Sequence, residues 1–418
     1  MWKAGFIRRI CIHLTKEKMK ITPTFGKVFR DSEYALDPDV TFCNNGAFSA
    51  VPKQVLFSQA KFRYMQETDP EAWFRYKVKE AISNATDNVA DMFGSNKENL
   101  VLVENATTAA NTILKSLSFS EGDKILITTH TFMCVKNAAM FIANNNPGVE
   151  VVVMAINLPI LSKQQLVDSL LEMLNCHRGI KLAILDHITG PSGILFPIED
   201  MIPLCHQRGV MVMVDGAHAP GQVELNLEEI GADFYFGNLH KWCYSARGCS
   251  ILYVNPKHSD KVNPLVTSKV ECPRLRNRFL MQGSKDYTAL CSSSAAVEFL
   301  QDIGGLSAVK NYNEPMLKWA TDMLCKAWNT TTIPIHDSLK APFMILIKLP
   351  DIENIPLLTP DGSKAIALSV YQKHKVHIAA TRVNGRFWLR LSAHVYNTKD
   401  DYYKLRDALM DIYLPQLS

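Results

Sequence analysis

From Leu100 to Asp215 the chain repeats one pattern: a short, almost wholly apolar run that stops at polar residues, then a longer stretch with helical spacing. LVLV stops at Glu104-Asn105, KILITT at Thr129-His130, KLAILDHI at Asp186-His187 and VMVMV at Asp215, while VEVVVMAI follows Pro147-Gly148. Runs that are apolar at nearly every position predict strands buried on both faces. Their alternation with helices predicts a mostly parallel sheet between helical layers. In such a sheet ligands bind beyond the carboxyl ends of the strands, which is where the polar residues gather.

The flanks read differently. Phe57 to Met92 has helical spacing with dispersed charges, so long surface helices are expected there, broken at Asp69-Pro70. Beyond residue 300, GGLSAVKNYNEPMLKWATDML predicts a long helix, and MILIKLP and RFWLRLSAHVY predict strands of a smaller α+β domain. In the second strand Phe387, Leu389, Leu391 and Ala393 alternate with Trp388, Arg390 and Ser392, which turns Arg390 to the face opposite the leucines. The expected division is an extension at 1–20, a segment at 21–60 packing on the small domain, a large domain at 61–299 and a small C-terminal domain at 300–418.

Composition excludes several classes. With 418 residues, 47% hydrophobic and 21% charged, the chain has enough apolar surface for a large core and a smaller one. A formal charge of +4 without a basic cluster gives no reason to expect a nucleic-acid partner. Ten cysteines without a CxxC pair or a His/Cys cluster suggest reduced thiols in a cytoplasmic setting and no metal site. No apolar run reaches the roughly 18 residues needed to cross a membrane. The first 20 residues are basic, with Glu17 as the one acidic residue, and read either as an amphipathic mitochondrial presequence or as a frayed extension.

The chemistry concentrates between Gly209 and Val254. A buried-type run ends at Asp215, and Lys241 stands between His240 and Trp242 before the next apolar run. Asp-Gly alone is a turn signal and a lone lysine is usually solvated. Together, a carboxylate at one strand end and a lysine before another strand suit a pyridine-based cofactor. The acid keeps the ring nitrogen protonated and the amine forms a Schiff base. His218, three residues after Asp215, is placed to contact the phenolic oxygen of such a ring. The aromatic neighbours of Lys241 would hold its amine neutral. Asn105 to Asn111 reads as a helix start, with Ala106, Thr107 and Thr108 offering amides and hydroxyls to a phosphate. No Walker-type or strand-linked GxGxxG motif is present, so a nucleotide is the weaker phosphate ligand.

DGAHAPGQ followed by GNLHKW and RGCSILYV resembles the class V aminotransferase family of pyridoxal-phosphate enzymes, with the isopenicillin N epimerase-like and hercynylcysteine sulfoxide lyase-like members as the nearest pattern. The resemblance extends from about Asn44 to Asp401. It implies the fold type I architecture, with a mostly parallel, seven-stranded-type sheet in the large domain, and pyridoxal 5'-phosphate on Lys241 and Asp215. It places a ring, either His130 or Phe132, over the pyridine face, and lines the pocket with Asp186, His187 and Thr189 of LDHITG. Many members carry an asparagine where this chain has Gly190, which leaves His218 or Ser192 for the phenolic oxygen. The NNGAF stretch implies that Asn45 lies over the substrate carboxylate, and Arg390 matches the family's carboxylate-binding arginine, with Arg382 and Arg386 as nearby alternatives. Gly283-Ser284 resembles a Gly-Thr pair that reaches the neighbouring subunit's phosphate, implying a homodimer with composite sites.

The resemblance leaves three reactions on an amino acid substrate: epimerisation, loss of a β-substituent and transamination. Desulfurases of this class carry a loop cysteine near the C-terminal arginine; VNGRFWLRLSAHVYNT has none, so persulfide transfer is disfavoured. A carbon-sulfur β-lyase of the hercynylcysteine sulfoxide type is preferred over an epimerase. The reading from outside enzymology is a scaffold of the same fold, against which intact Asp215, Lys241 and Arg390 argue.

Overall fold

The computed structural model describes residues 23–268, 272–350 and 362–413. The expectation of a targeting or frayed segment at 1–20 lies outside these residues. Among the described residues there are twelve strands: β1 (Thr41–Phe42), β2 (Leu100–Val103), β3 (Lys124–Thr128), β4 (Glu150–Met154), β5 (Ile180–Asp186), β6 (Met211–Asp215), β7 (Phe234–Asn238), β8 (Ser250–Val254), β9 (Met344–Lys348), β10 (Val376–His377), β11 (Ala379–Val383) and β12 (Arg386–Ser392). Seven form the central sheet, in the order β2-β8-β7-β6-β5-β3-β4.

Successive residues of its strands serve two different cores. Leu100, Leu102, Leu126, Ala183, Leu185, Val212, Val214 and Tyr235 point to one side. Val101, Val103, Ile125, Ile127, Leu182, Ile184, Met213 and Phe234 point to the other. A strand buried on both faces must be apolar throughout, which is why these runs show no alternation. The sheet is parallel except at β8, which runs antiparallel to both β7 and β2. A parallel return needs a crossover of about a dozen residues or more. Residues 239–249 are too few for that and form a short helical turn and loop instead. That turn carries Lys241.

Asp69 stops the Lys53–Thr68 helix, and its Oδ1 accepts from the Ala72 amide at 3.1 Å to start the next helical segment with Pro70 at its first position. The helix beyond, Val78–Met92, is not a surface element as expected: Val78, Ile82, Ala85, Val89 and Ala90 are buried in the core.

The C-terminal part has its own three-stranded antiparallel sheet, β11-β12-β9, under the Gly305–Ala327 and Lys399–Tyr413 helices. Leu389, Leu391 and Ala393 enter that core while Trp388 packs on the opposite side, so the alternation read from the sequence holds. The segment after residue 23 is tied to this C-terminal part: β1 pairs with β10 in a separate two-stranded sheet, and Gly26 N–H donates to Val395 O at 2.8 Å. Among the described residues no helix is long and apolar enough to cross a membrane.

Candidate active site

Four segments hold Lys241 in place. It sits on the single turn Leu239–Trp242, directly after β7. Asn45 Nδ2 donates to its carbonyl at 3.0 Å. Gly221, at φ +84°, packs so tightly against the Trp242 carbonyl that a Cβ there would stand 2.3 Å from the oxygen. At the end of β7, Asn238 Oδ1 accepts from Ala106 N–H at 3.0 Å and from Ser250 Oγ at 2.6 Å. The lysine turn is thereby tied to the start of the Ala106–Ser116 helix and to β8.

The Lys241 Nζ lies 2.9 Å from His218 Nε2. Burial, reinforced by the Arg390 guanidinium and opposed by Asp215, pushes the amine down to about 7. β5 and β6 pair in register, so Asp186 and Asp215 stand side by side at their ends. Burial and the Asp215 charge hold the Asp186 carboxyl well above the usual carboxylate range. Burial raises the Asp215 carboxyl too, but the Ala217 amide, 2.9 Å from its Oδ1, and Lys241 both favour its anion, so Asp215 is the more readily ionised of the pair. Burial, with Lys241 and Arg390 next, keeps His218 far below the usual imidazole range and neutral. His240, pushed down to about 4 by burial, donates from Nδ1 to Cys249 O at 3.1 Å.

Lys241, Asp215, His218, His240 and Arg390 line a cavity of about 330 Å³ together with Gly46, Ala47, Phe48, Asn105, Ala106, Thr107, Phe132 and Gly190. One rim is the start of the Ala106–Ser116 helix. There Asn105 Oδ1 accepts from Thr108 N–H at 2.9 Å and Asn238 takes Ala106 N–H. The Thr107 amide is left as one of those that a helix start cannot satisfy internally. Opposite is Arg390. Its Nη1 donates to Gly190 O at 2.6 Å and its Nη2 to Asn44 Oδ1 at 3.0 Å, while Nε is buried without a partner. Burial pushes its guanidinium down to about 10, and it keeps its charge.

Of the sequence-predicted residues, Lys241, Asp215, His218, His240, Ala106, Thr107, Phe132 and Arg390 converge on this cavity. Of the two candidate rings Phe132 lines the cavity, whereas His130 is outside the lining and its Nδ1 meets Ser192 Oγ at 2.7 Å. His187 and Thr189 also face elsewhere: His187 Nδ1 meets the Tyr235 hydroxyl at 2.9 Å, and Thr189 Oγ1 accepts from Ile194 N–H at 2.8 Å. Extended residues alternate sides, so Ile188 and Gly190 line the cavity in their place. Ser192, bonded to His130 and Thr189, is no neighbour of the cavity. Thr108 contributes its amide to the helix cap and no lining surface. Asp186 lies behind Asp215. Asn45 is saturated by Lys241 O, Ser49 and Tyr396, and it is Asn44 that meets the arginine. Ser284 is on an exposed loop away from the lining.

Sequence reasoning did not single out Asn44, Phe48, Gly221 or Asn238, although each lies inside a stretch it quoted, NNGAF, DGAHAPGQ or GNLHKW. It also missed Cys134, an exposed thiol near Lys241 on the Met133–Asn145 helix. Its position two residues after Phe132 was the available signal.

A family model described as Aminotransferase class-V matches residues 41–405. Over 402 residues the chain is 27% identical to a probable chloroplastic L-cysteine desulfhydrase of Arabidopsis thaliana, covering 89% of this chain and 83% of that one. To a hercynylcysteine sulfoxide lyase of Schizosaccharomyces pombe it is 24% identical over 391 residues, covering 90% and 95%. The fold is similar to an apo cysteine desulfurase from Thermococcus onnurineus NA1, with a TM-score of 0.74 at 17% identity and coverage of 92% and 97%.

Proposed function

Because this chain belongs to the aminotransferase class-V family, we propose that the cavity around Lys241 is the active site of a carbon-sulfur β-lyase acting on a cysteine conjugate. The cofactor is pyridoxal 5'-phosphate, and the cavity suits it. Lys241 offers a buried amine that is half neutral near pH 7. Asp215 offers a carboxylate for a protonated ring nitrogen, Phe132 a flat face, and the Thr107 amide a phosphate donor at a helix start. When bound, the coenzyme withdraws electrons from the substrate's α-carbon and stabilises the carbanion left by proton loss.

The chain's own residues do the rest. Arg390 holds the substrate carboxylate, using the N–H groups not already given to Gly190 and Asn44. The Lys241 amine removes the α-proton. His218 and Asp215 orient the ring, and Phe48 and Phe132 narrow the mouth against water. Expulsion of the sulfur group with its bonding electron pair, then addition of water, gives a thiol or sulfenic acid, pyruvate and ammonia.

One observation carries the preference for elimination. Among the described residues lining the cavity, Lys241 alone is a base held near neutrality, since His218 and His240 lie far below it and Arg390 above. Elimination needs one such base, whereas two-base epimerisation needs a second on the other face. The test is incubation with cysteine S-conjugates and their sulfoxides, assayed for pyruvate. Pyruvate is expected; its absence, with solvent deuterium entering the α-carbon of recovered substrate, would establish the epimerase reading instead.

We further propose a homodimer. The Lys53–Thr68 helix exposes Leu56, Phe57 and Tyr64, and next to the cavity mouth Phe48, Phe132 and Met133 are also exposed. Gln59 and Arg63 of the same helix bond Thr288 and Asp286, which fastens it to the loop bearing Ser284. A second copy covering this face would bring Ser284 toward the partner's phosphate.

A further inference from the structure

Lys241 and His218 meet at 2.9 Å, but two nitrogens at that distance require one donor and one acceptor. The third member of the chain decides which is which. Trp242 Nε1 lies 3.4 Å from His218 Nδ1, and an indole N–H can only donate. The indole cannot turn to another partner. It is buried against Phe343 and His394, with ring centroids 5.7 and 6.2 Å away, and its Cζ2 stands 3.3 Å from where a Cβ on Gly46 would be.

We propose that Trp242 is a positioning residue that fixes His218 in the tautomer with its proton on Nε2, so that the imidazole presents a donor to the Lys241 amine.

A neutral amine accepts that hydrogen bond through its lone pair. An ammonium cannot, and must either lose the contact or force the imidazole to move its proton to Nδ1 against the indole N–H. The relay therefore disfavours the protonated amine. It adds to burial and to the Arg390 guanidinium from β12, and works against Asp215 from β6 and Cys134 from the Met133–Asn145 helix, which pull the other way; His240 on the same turn acts on His218. The residue that follows the lysine thus acts on it through a histidine 24 positions earlier in the chain. The inference gives Trp242 a part in the reaction only if Lys241 is the reacting amine, but the relay is testable without that reading.

The experiment uses the full-length, cofactor-free protein. Trace acetylation across neutral pH, read by mass spectrometry of the peptide containing Lys241, gives the pH at which the amine becomes reactive. Trp242→Phe keeps the ring and removes the N–H. It is expected to raise that midpoint by about 0.5–1 pH unit, a roughly three- to tenfold change in proton affinity, the scale of one neutral hydrogen bond. In a His218→Phe background the same substitution should have no further effect. An unchanged midpoint in Trp242→Phe, or an equal shift in both backgrounds, would overturn the proposal. If Trp242→Phe fails to fold, the 15N shifts of His218 in the wild-type protein decide: a protonated Nε2 and bare Nδ1 support it, and the reverse removes it. Because acetylation involves no coenzyme, an inactive enzyme with the expected labelling profile would count against the lyase and leave the relay standing.

Discussion

An amine that must be nucleophilic and a guanidinium that must stay charged share one small cavity, and each residue there shows a different solution to burial. For Lys241 the solution is loss of the proton, at about 7. Formation of its visible adduct with pyridoxal 5'-phosphate should therefore quicken as pH rises through about 7 and level off above, and Lys241→Ala should abolish the band near 420 nm; stopped-flow absorbance reads both. The same burial weakens the fold. The amine's folded value lies below its unfolded value of 10.5, so the unfolded chain binds more protons between the two and stability is lost as pH falls from about 10 to 7. Lys241→Met should accordingly stabilise the cofactor-free protein by about 1–3 kcal/mol at neutral pH, and less above pH 10, by urea unfolding. Arg390 keeps its charge and leaves Nε unpartnered. Arg390→Gln should raise KM roughly 10- to 100-fold, about 1.5–3 kcal/mol, with a smaller effect on kcat. Cys134→Ser should leave pyruvate formation unchanged; a loss would revive sulfur transfer to a thiol.

At the scale of elements, the site depends on how the strand ends are fastened. Asp233, just before β7, accepts from Val212 N–H at 2.7 Å and meets His206, Lys257 and His258. These contacts tie β6 to β7 and to the segment after β8. His258 and Lys257 hold its carboxyl well below the usual range despite its burial. A depressed carboxylate contributes stability that is complete above the unfolded value near 4 and lost as pH falls toward the folded one. Asp233→Asn should cost about 2 kcal/mol at pH 7, and the difference in Tm from the wild type should shrink below about pH 4. Gly221 guards the lysine turn from behind. Gly221→Ala combines a positive φ with a Cβ driven into the Trp242 carbonyl, so a loss of about 2–4 kcal/mol and weaker cofactor retention are expected in urea titration and absorbance.

The whole molecule places the cavity around Lys241 where the central sheet, the C-terminal sheet and the N-terminal turn meet: Asp215 and Lys241 come from the first, Arg390 from the second, and Gly46 with Phe48 from the third. Phe57 is exposed, and its neighbour Leu56 shares a second cavity with Phe48 of that turn. Phe57→Glu should shift the protein toward monomer in sedimentation and lower cofactor occupancy. A dimer with full occupancy would show that the subunits meet elsewhere.

The sequence by itself determined the layered sheet, because residues buried on both faces must be apolar at every position, and it determined the pairing of Asp215 with Lys241, because both follow strand ends. Alternation along β12 likewise sufficed to aim Arg390. Tertiary structure alone decided which near neighbours face inward. Phe132 and not His130, and Ile188 and Gly190 and not His187 and Thr189, line the cavity, while Asn44 and not Asn45 meets Arg390. A shift of one residue reverses the direction of an extended side chain, and the local pattern of types is the same for either register. The reversal of β8 and the relay from Trp242 through His218 were equally hidden, since both depend on distances between segments that a linear order of residues leaves unspecified.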